Sequence, residues 1–167
     1  QDASFRFSAF MRKWGFNIHF VTHLPSGIDI NSLINNLRIF SWEASEILLY
    51  FSQILKESNH KGNVLKNVDM ENPVTIADLQ VNELIIKRID EKYKDIDWGI
   101  LSEENVKSSF AKSISDIDWL WVLDPLDGTK DFIQGTGNYA MHLALNYKNK
   151  TFFGVVLIPE KNELWFG

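Results

Sequence analysis

The chain has 167 residues, 45% of them hydrophobic and 23% charged, the composition of an ordinary globular protein able to bury one sizeable core. A formal net charge of −5 with no block of Lys or Arg argues against nucleic acid or an anionic membrane as the main partner, because both need a basic footprint. The absence of cysteine excludes disulfides, thiolate zinc sites and a cysteine nucleophile, and it fits a reducing, cytoplasmic setting.

Residues 3–28 hold Arg6, Arg12 and Lys13 but no acid, a composition resembling an organellar transit peptide. Because the chain starts at Gln1, residues 1–25 are read as an unassigned extension, with the folded unit expected over 26–167. From Asn31 to Leu55 apolar residues recur at intervals of three and four, predicting a long amphipathic helix capped by Asp29 or Asn31. A polar stretch follows and ends at Pro73. A second helix is predicted from near Thr75, with Ala77, Val81, Leu84, Ile85 and Ile89 inward and Thr75 and Asp78 at capping-box spacing.

Residues 98–101 (WGIL) and 119–123 (WLWVL) read as two strands, the first running into Glu103 and Glu104 and the second into Asp124. A short helix is predicted over GTKDFIQ, then three strands, NYAMHLALNY, TFFGVVLI and ELWFG, as an antiparallel meander. Trp119, Trp121 and Trp165 read as core. No apolar run approaches the roughly 20 residues of a membrane span. Helices first and strands after predict an α+β fold, and the stop at Gly167, directly after a strand, reads as a truncation.

The chemistry concentrates in WVLDPLDGTKDF. Asp124 and Asp127 lie three apart, and two neighbouring carboxylates repel unless a cation neutralises both. Mg²⁺ takes oxygen ligands, commonly one or two carboxylates, so the pair suits it. Pro125 is expected to set a sharp turn that aims the Leu126 carbonyl into the same place. Gly128 and Thr129 open the short helix, where backbone N–H groups can bind a phosphate oxygen. Taken alone, Asp-Pro-x-Asp-Gly is equally well a turn with Thr129 as a cap. Glu103 would add a third carboxylate beside Asp124, and an ionised Asp78 at a helix start can take a proton from a hydroxyl. Leu126 occupies the position where an aspartyl-phosphate phosphatase of the haloacid dehalogenase type needs its second Asp. His142, in an alternating strand, reads as a hydrogen-bonded wall residue.

PVTIAD, LSEE and WVLDPLDGTKDF, in this order, resemble the magnesium-dependent, lithium-sensitive phosphatases of the inositol monophosphatase superfamily, from about Asp29 to Gly167. Lys130-Asp131-Phe132 after Gly-Thr, together with PVTIAD, is most similar to the 3'(2'),5'-bisphosphate nucleotidases. The resemblance implies a layered αβαβα sandwich of the sugar-phosphatase type, here only its N-terminal helices-plus-sheet half. It further implies two or three Mg²⁺ ions held by Glu103, Asp124, the Leu126 carbonyl and Asp127. Asp78 and Thr129 would activate the attacking water, Gly128 and Thr129 would hold the phosphate, and Glu104 would support. The implied substrate is a small phosphomonoester, 3'-phosphoadenosine 5'-phosphate, in sulfur assimilation. An inositol or sugar monophosphatase, and a non-catalytic metal- or nucleotide-binding relative, remain the alternatives. Lys66 and Asp69 are spaced more widely from Pro73 than the pair such nucleotidases show.

Overall fold

The computed structural model describes residues 24–60, 73–102 and 117–167. Two helices, α1 (Ile30–His60) and α2 (Pro73–Lys92), precede a five-stranded sheet of β1 (Gly99–Ser102), β2 (Trp119–Asp127), β3 (Ala140–Tyr147), β4 (Lys150–Ile158) and β5 (Glu163–Phe166). A short helix, α3 (Thr129–Gln134), joins β2 to β3, and one 3₁₀ turn (Pro159–Lys161) joins β4 to β5. The strands lie side by side in chain order, β1 parallel to β2 and every later pair antiparallel. The fold is α+β, and the predicted meander is β3, β4 and β5.

Asp29 starts α1: its Oδ2 accepts from the Ser32 N–H at 2.8 Å and its carbonyl from the Leu33 N–H at 2.9 Å. Leu33, Leu37, Ala44 and Leu48 are fully buried along one stripe of α1, as Ala77, Val81, Ile85 and Ile89 are along α2. The helices are clamped by Arg88, which donates from Nε to Glu43 Oε2 at 2.7 Å and from Nη2 to Oε1 at 3.1 Å, a two-pronged pair. Because α2 begins at Pro73, Thr75 lies inside its first turn and is not the cap that the Thr75–Asp78 spacing predicted. Proline suits the first helical position, where no N–H is needed.

Strand register decides which side chains meet the helices. Trp121 faces Leu145, Leu123 faces Leu143, Leu143 faces Val155, and Met141 faces Leu157, all on the face that joins the helices in one core. Tyr93, Trp98 and Trp121 stack edge to face at 5.1 and 5.4 Å, sealing the end of α2 against β1 and β2. The alternate residues form the outer face, where one row crosses the sheet as Asp124, His142, Val156 and Trp165. Trp165 therefore points away from the helices and is 60% exposed, contrary to its reading as core.

A second clamp ties α1 to the strand ends. Glu160 Oε1 accepts from the Ser52 hydroxyl at 2.7 Å, Lys56 Nζ at 2.6 Å and the Tyr139 hydroxyl at 3.1 Å. Burial opposes ionisation of Glu160, yet the hydrogen bonds from Lys56 and Ser52, with the Lys56 charge and Tyr139, hold its carboxyl below the usual value. Burial likewise pushes the Tyr139 hydroxyl well above the ordinary phenol range.

Two outcomes follow for stability. Trp121→Ala, at a fully buried position, is expected to cost about 3–5 kcal/mol in urea unfolding, whereas Trp165→Ala should stay within about 0.5 kcal/mol. A folded-state pKa below the unfolded one makes the Glu160 contribution complete above its ordinary value of 4.5 and lost as pH falls through the folded value. Unfolding measured across that acid range should therefore show a shallower loss of stability in Glu160→Gln than in the parent chain; an unchanged slope would rule the clamp out as a source of acid sensitivity.

Candidate active site

Asp124 and Asp127 lie at the C-terminal end of β2, which continues beyond the predicted Leu123 to Asp127. Along a regular strand, residues three apart face opposite sides. Here Asp124 pairs with His142 and Asp127 with Ala140, so three steps on β2 match two on β3. The extra residue is a β-bulge at Pro125–Leu126, and it returns Asp127 to the face Asp124 occupies. Pro125 thus sits within a strand and makes no sharp turn, correcting that expectation; all peptide bonds described are trans. A bulge is where a sheet tolerates proline, since the ladder is already interrupted. Ala140 and His142 are two residues apart on β3, which spaces the two aspartates by roughly 7 Å along the strand.

The segment braces itself. The Leu126 N–H donates to Asp124 Oδ1 at 3.3 Å, and the Thr129 hydroxyl donates to the Leu126 carbonyl at 3.4 Å. A carboxylate, a carbonyl and a hydroxyl are so linked in series within six residues. Gly128 has φ +84°, and a Cβ there would lie 2.6 Å from the Asn138 carbonyl oxygen. Both conformation and space therefore demand glycine where β2 enters α3. His142 lies across from Asp124 and brings Nδ1 within 3.9 Å of Asp127 Oδ2, so one half-exposed imidazole stands beside the pair.

Asp78 lies on α2, partly buried and with Oδ1 shielded from solvent. Helix α2 packs against both β2 and α3, which brings the helix carrying Asp78 to the one that Thr129 opens. Glu103, Glu104, Lys66 and Asp69 lie outside the described residues. What precedes Glu103 is placed: Ser102, the last residue of β1, pairs in parallel with Leu123, one residue before Asp124. Among the described residues no set of three or more His, Cys, Asp or Glu is arranged to hold a metal, so of the expected ligands Asp124, Asp127 and the Leu126 carbonyl are the ones placed. Their donors are oxygens, the chemistry that a hard divalent cation selects.

An open cleft of about 190 Å³ adjoins Asp127, lined by Gly137, Asn138, Tyr139, Ala140, Ile158 and Lys161. The sequence carried no local sign of it: its walls come from three strand ends, and Ser52, Lys56, Tyr139 and Glu160, which brace it, are scattered along the chain.

Residues 38–167 match the inositol monophosphatase family. The chain is 37% identical over 114 residues to the chloroplastic bifunctional phosphatase IMPL2 of Arabidopsis thaliana, covering 68% of this chain and 31% of that protein. It is 30% identical over 132 residues to the 3'(2'),5'-bisphosphate nucleotidase CysQ of Haemophilus influenzae, covering 76% of this chain and 44% of that protein. In both cases the chain spans less than half the length of its relative. A solved inositol monophosphatase from Zymomonas mobilis shares the fold at a TM-score of 0.61 and 24% identity, over 84% of this chain and 48% of that one. No described helix is long and apolar enough to cross a membrane. With the family match running from Arg38 in α1 to the last residue, this chain belongs to the inositol monophosphatase family.

Proposed function

We propose that the chain is part of a Mg²⁺-dependent phosphomonoesterase that removes the 3'-phosphate of 3'-phosphoadenosine 5'-phosphate, residues 26–167 being the N-terminal part of its catalytic domain. The observation that carries this reading is the bulge in β2, which turns Asp124 and Asp127 to one face and sets the Leu126 carbonyl and Thr129 hydroxyl beside them. The family is one of phosphatases, and the substrate rests on PVTIAD and DGTKDF together with the likeness to the CysQ nucleotidase.

In this reading Asp124, Asp127 and the Leu126 carbonyl, joined by Glu103, would hold Mg²⁺, two or three ions in all. Bound there, the cation offsets the charge of the acids and of the phosphoryl oxygens. The N–H groups of Gly128 and Thr129, at the start of α3, receive a phosphate oxygen, which the left-handed Gly128 permits by freeing the approach. The Thr129 hydroxyl orients the attacking water, and Asp78 accepts the proton that must leave it. Water attacks phosphorus, the bond to the 3'-oxygen breaks, and that oxygen takes a proton from solvent water as it departs.

Phosphate release by the full-length protein carrying this chain is expected from 3'-phosphoadenosine 5'-phosphate with Mg²⁺, and to be much lower from inositol monophosphate or after chelation. Turnover of inositol monophosphate alone would replace the nucleotidase reading. Asp78→Asn and Thr129→Ala should each lower kcat by about 10²–10⁴-fold with calorimetric Mg²⁺ binding retained, whereas Asp124→Asn and Asp127→Asn should lose the binding heat itself. Mg²⁺ binding without phosphate release, unaffected by the Asp78 and Thr129 changes, would mark a non-catalytic relative.

A further inference from the structure

Helix α3 has six residues, too few to hold a shape or a direction by themselves. Because it carries Thr129, its tilt has to be imposed from outside. Three contacts do so. At its start, a Cβ on Gly128 would lie 2.6 Å from the Asn138 carbonyl oxygen and 3.2 Å from the Tyr139 Cα, so the chain at Tyr139 closes directly on the entry to the helix. In its middle, the fully buried Phe132 meets the Tyr139 ring edge to face at 4.7 Å. At its end, a Cβ on Gly135 would lie 2.9 Å from Lys56 Cγ.

All three contacts lead back to one atom. Glu160 Oε1 accepts from the Tyr139 hydroxyl at 3.1 Å, from Lys56 Nζ at 2.6 Å and from the Ser52 hydroxyl at 2.7 Å. Tyr139 and Lys56, the two side chains that close on α3, are thus bonded to the same carboxylate oxygen, and Ser52 ties that oxygen to α1 one turn before Lys56. Gly137, in the segment that leads from α3 to Tyr139, has φ +82°, and a Cβ there would lie 3.4 Å from Glu160 Cβ and Cγ. Packed rings tolerate sliding, whereas hydrogen bonds fix a direction. The shared oxygen therefore chooses one tilt for a helix that packing alone would leave several.

We propose that Glu160 is a positioning residue for Thr129: through Tyr139 and Lys56 it sets the tilt of α3, and so the place of the Thr129 hydroxyl beside the Leu126 carbonyl. This rests on the phosphomonoesterase reading above, in which that hydroxyl orients the attacking water. The hydroxyl donates to the Leu126 carbonyl at 3.4 Å, the long end of hydrogen-bond range, so that bond is too weak to hold the helix and the task falls to the clamp. Displacing a catalytic group by about 1 Å costs about 10²-fold in rate. What the clamp needs from Glu160 is an acceptor shared by three donors, and the amide oxygen of glutamine can take that place. Asp124 and Asp127 belong to β2 and not to α3, so their hold on a cation does not depend on this tilt.

The test uses the full-length protein carrying this chain. Tyr139→Phe keeps the ring against Phe132 and removes only the hydroxyl; it should lower kcat by about 10-fold, and Glu160→Ala by about 10²-fold, each with KM and calorimetric Mg²⁺ binding unchanged. Glu160→Gln should stay within about 3-fold of the parent. In a Thr129→Ala background neither Tyr139→Phe nor Glu160→Ala should lower kcat by more than about 2-fold, because the hydroxyl they displace is no longer there. Equal fold losses with and without Thr129, the mark of a merely structural role, or no loss in Glu160→Ala, overturn the proposal. The ¹H–¹⁵N amide resonances of Thr129 and Lys130 need no turnover. If the parent hydrolyses no phosphomonoester, the enzyme reading fails, and the movement or constancy of those resonances in Glu160→Ala still decides whether the clamp sets the tilt of α3.

Discussion

One extra residue in β2 carries the rest of the site. Without the bulge at Pro125–Leu126, the alternation of a strand would send Asp124 and Asp127 to opposite faces, one of them toward the apolar core beneath Leu123. With it, both carboxylates stand on the outer face, and the residues between them are set to other tasks. Leu126 drops its side chain into the core while its carbonyl meets the Thr129 hydroxyl. Gathering like charges in this way is unfavourable by itself, and a protein tolerates it where a cation or a donor offsets the repulsion. His142 lies opposite Asp124, with its Nδ1 3.9 Å from Asp127 Oδ2.

A site made from a bulge needs a stiff surround, because the ladder that would hold the backbone is interrupted there. Two features supply it. The Asn138 carbonyl and the Tyr139 backbone close so tightly over Gly128 that no side chain fits, and Tyr139 is itself held through Glu160 to Ser52 and Lys56 on α1. Phe132 of α3 meets the Tyr139 ring edge to face at 4.7 Å, which fastens the turn after Thr129 to the same post. The long first helix thereby reaches the strand ends and bears on the residues around the aspartates, although it contributes no side chain to them.

The helices and the meander were legible because their information is local. Period in α1 and α2, alternation in β3 and β4, and Asp29 before an apolar stripe each state their structure within a few residues. The acid motif was legible as chemistry for the same reason, but its shape was not. Proline between two acids reads as a turn, and only pairing with a neighbouring strand reveals a bulge. Trp165 shows the same limit: ELWF puts apolar residues on both faces of its strand, and which face is inward depends on Val156 lying opposite Trp165, which the strand cannot declare about itself. The clamp at Glu160 joins distant residues, as Ser52 and Lys56 stand 108 and 104 residues from it, so no window of sequence contains it.

Charge orders the events at such a site. On the function proposed, an anionic substrate approaching the outer face would meet Asp124 and Asp127 before the N–H groups of α3, and the net charge of the chain would add to the repulsion. Neutralising the pair must then come before, or with, the arrival of phosphate, since donors alone at the start of a six-residue helix are too weak to outweigh two carboxylates.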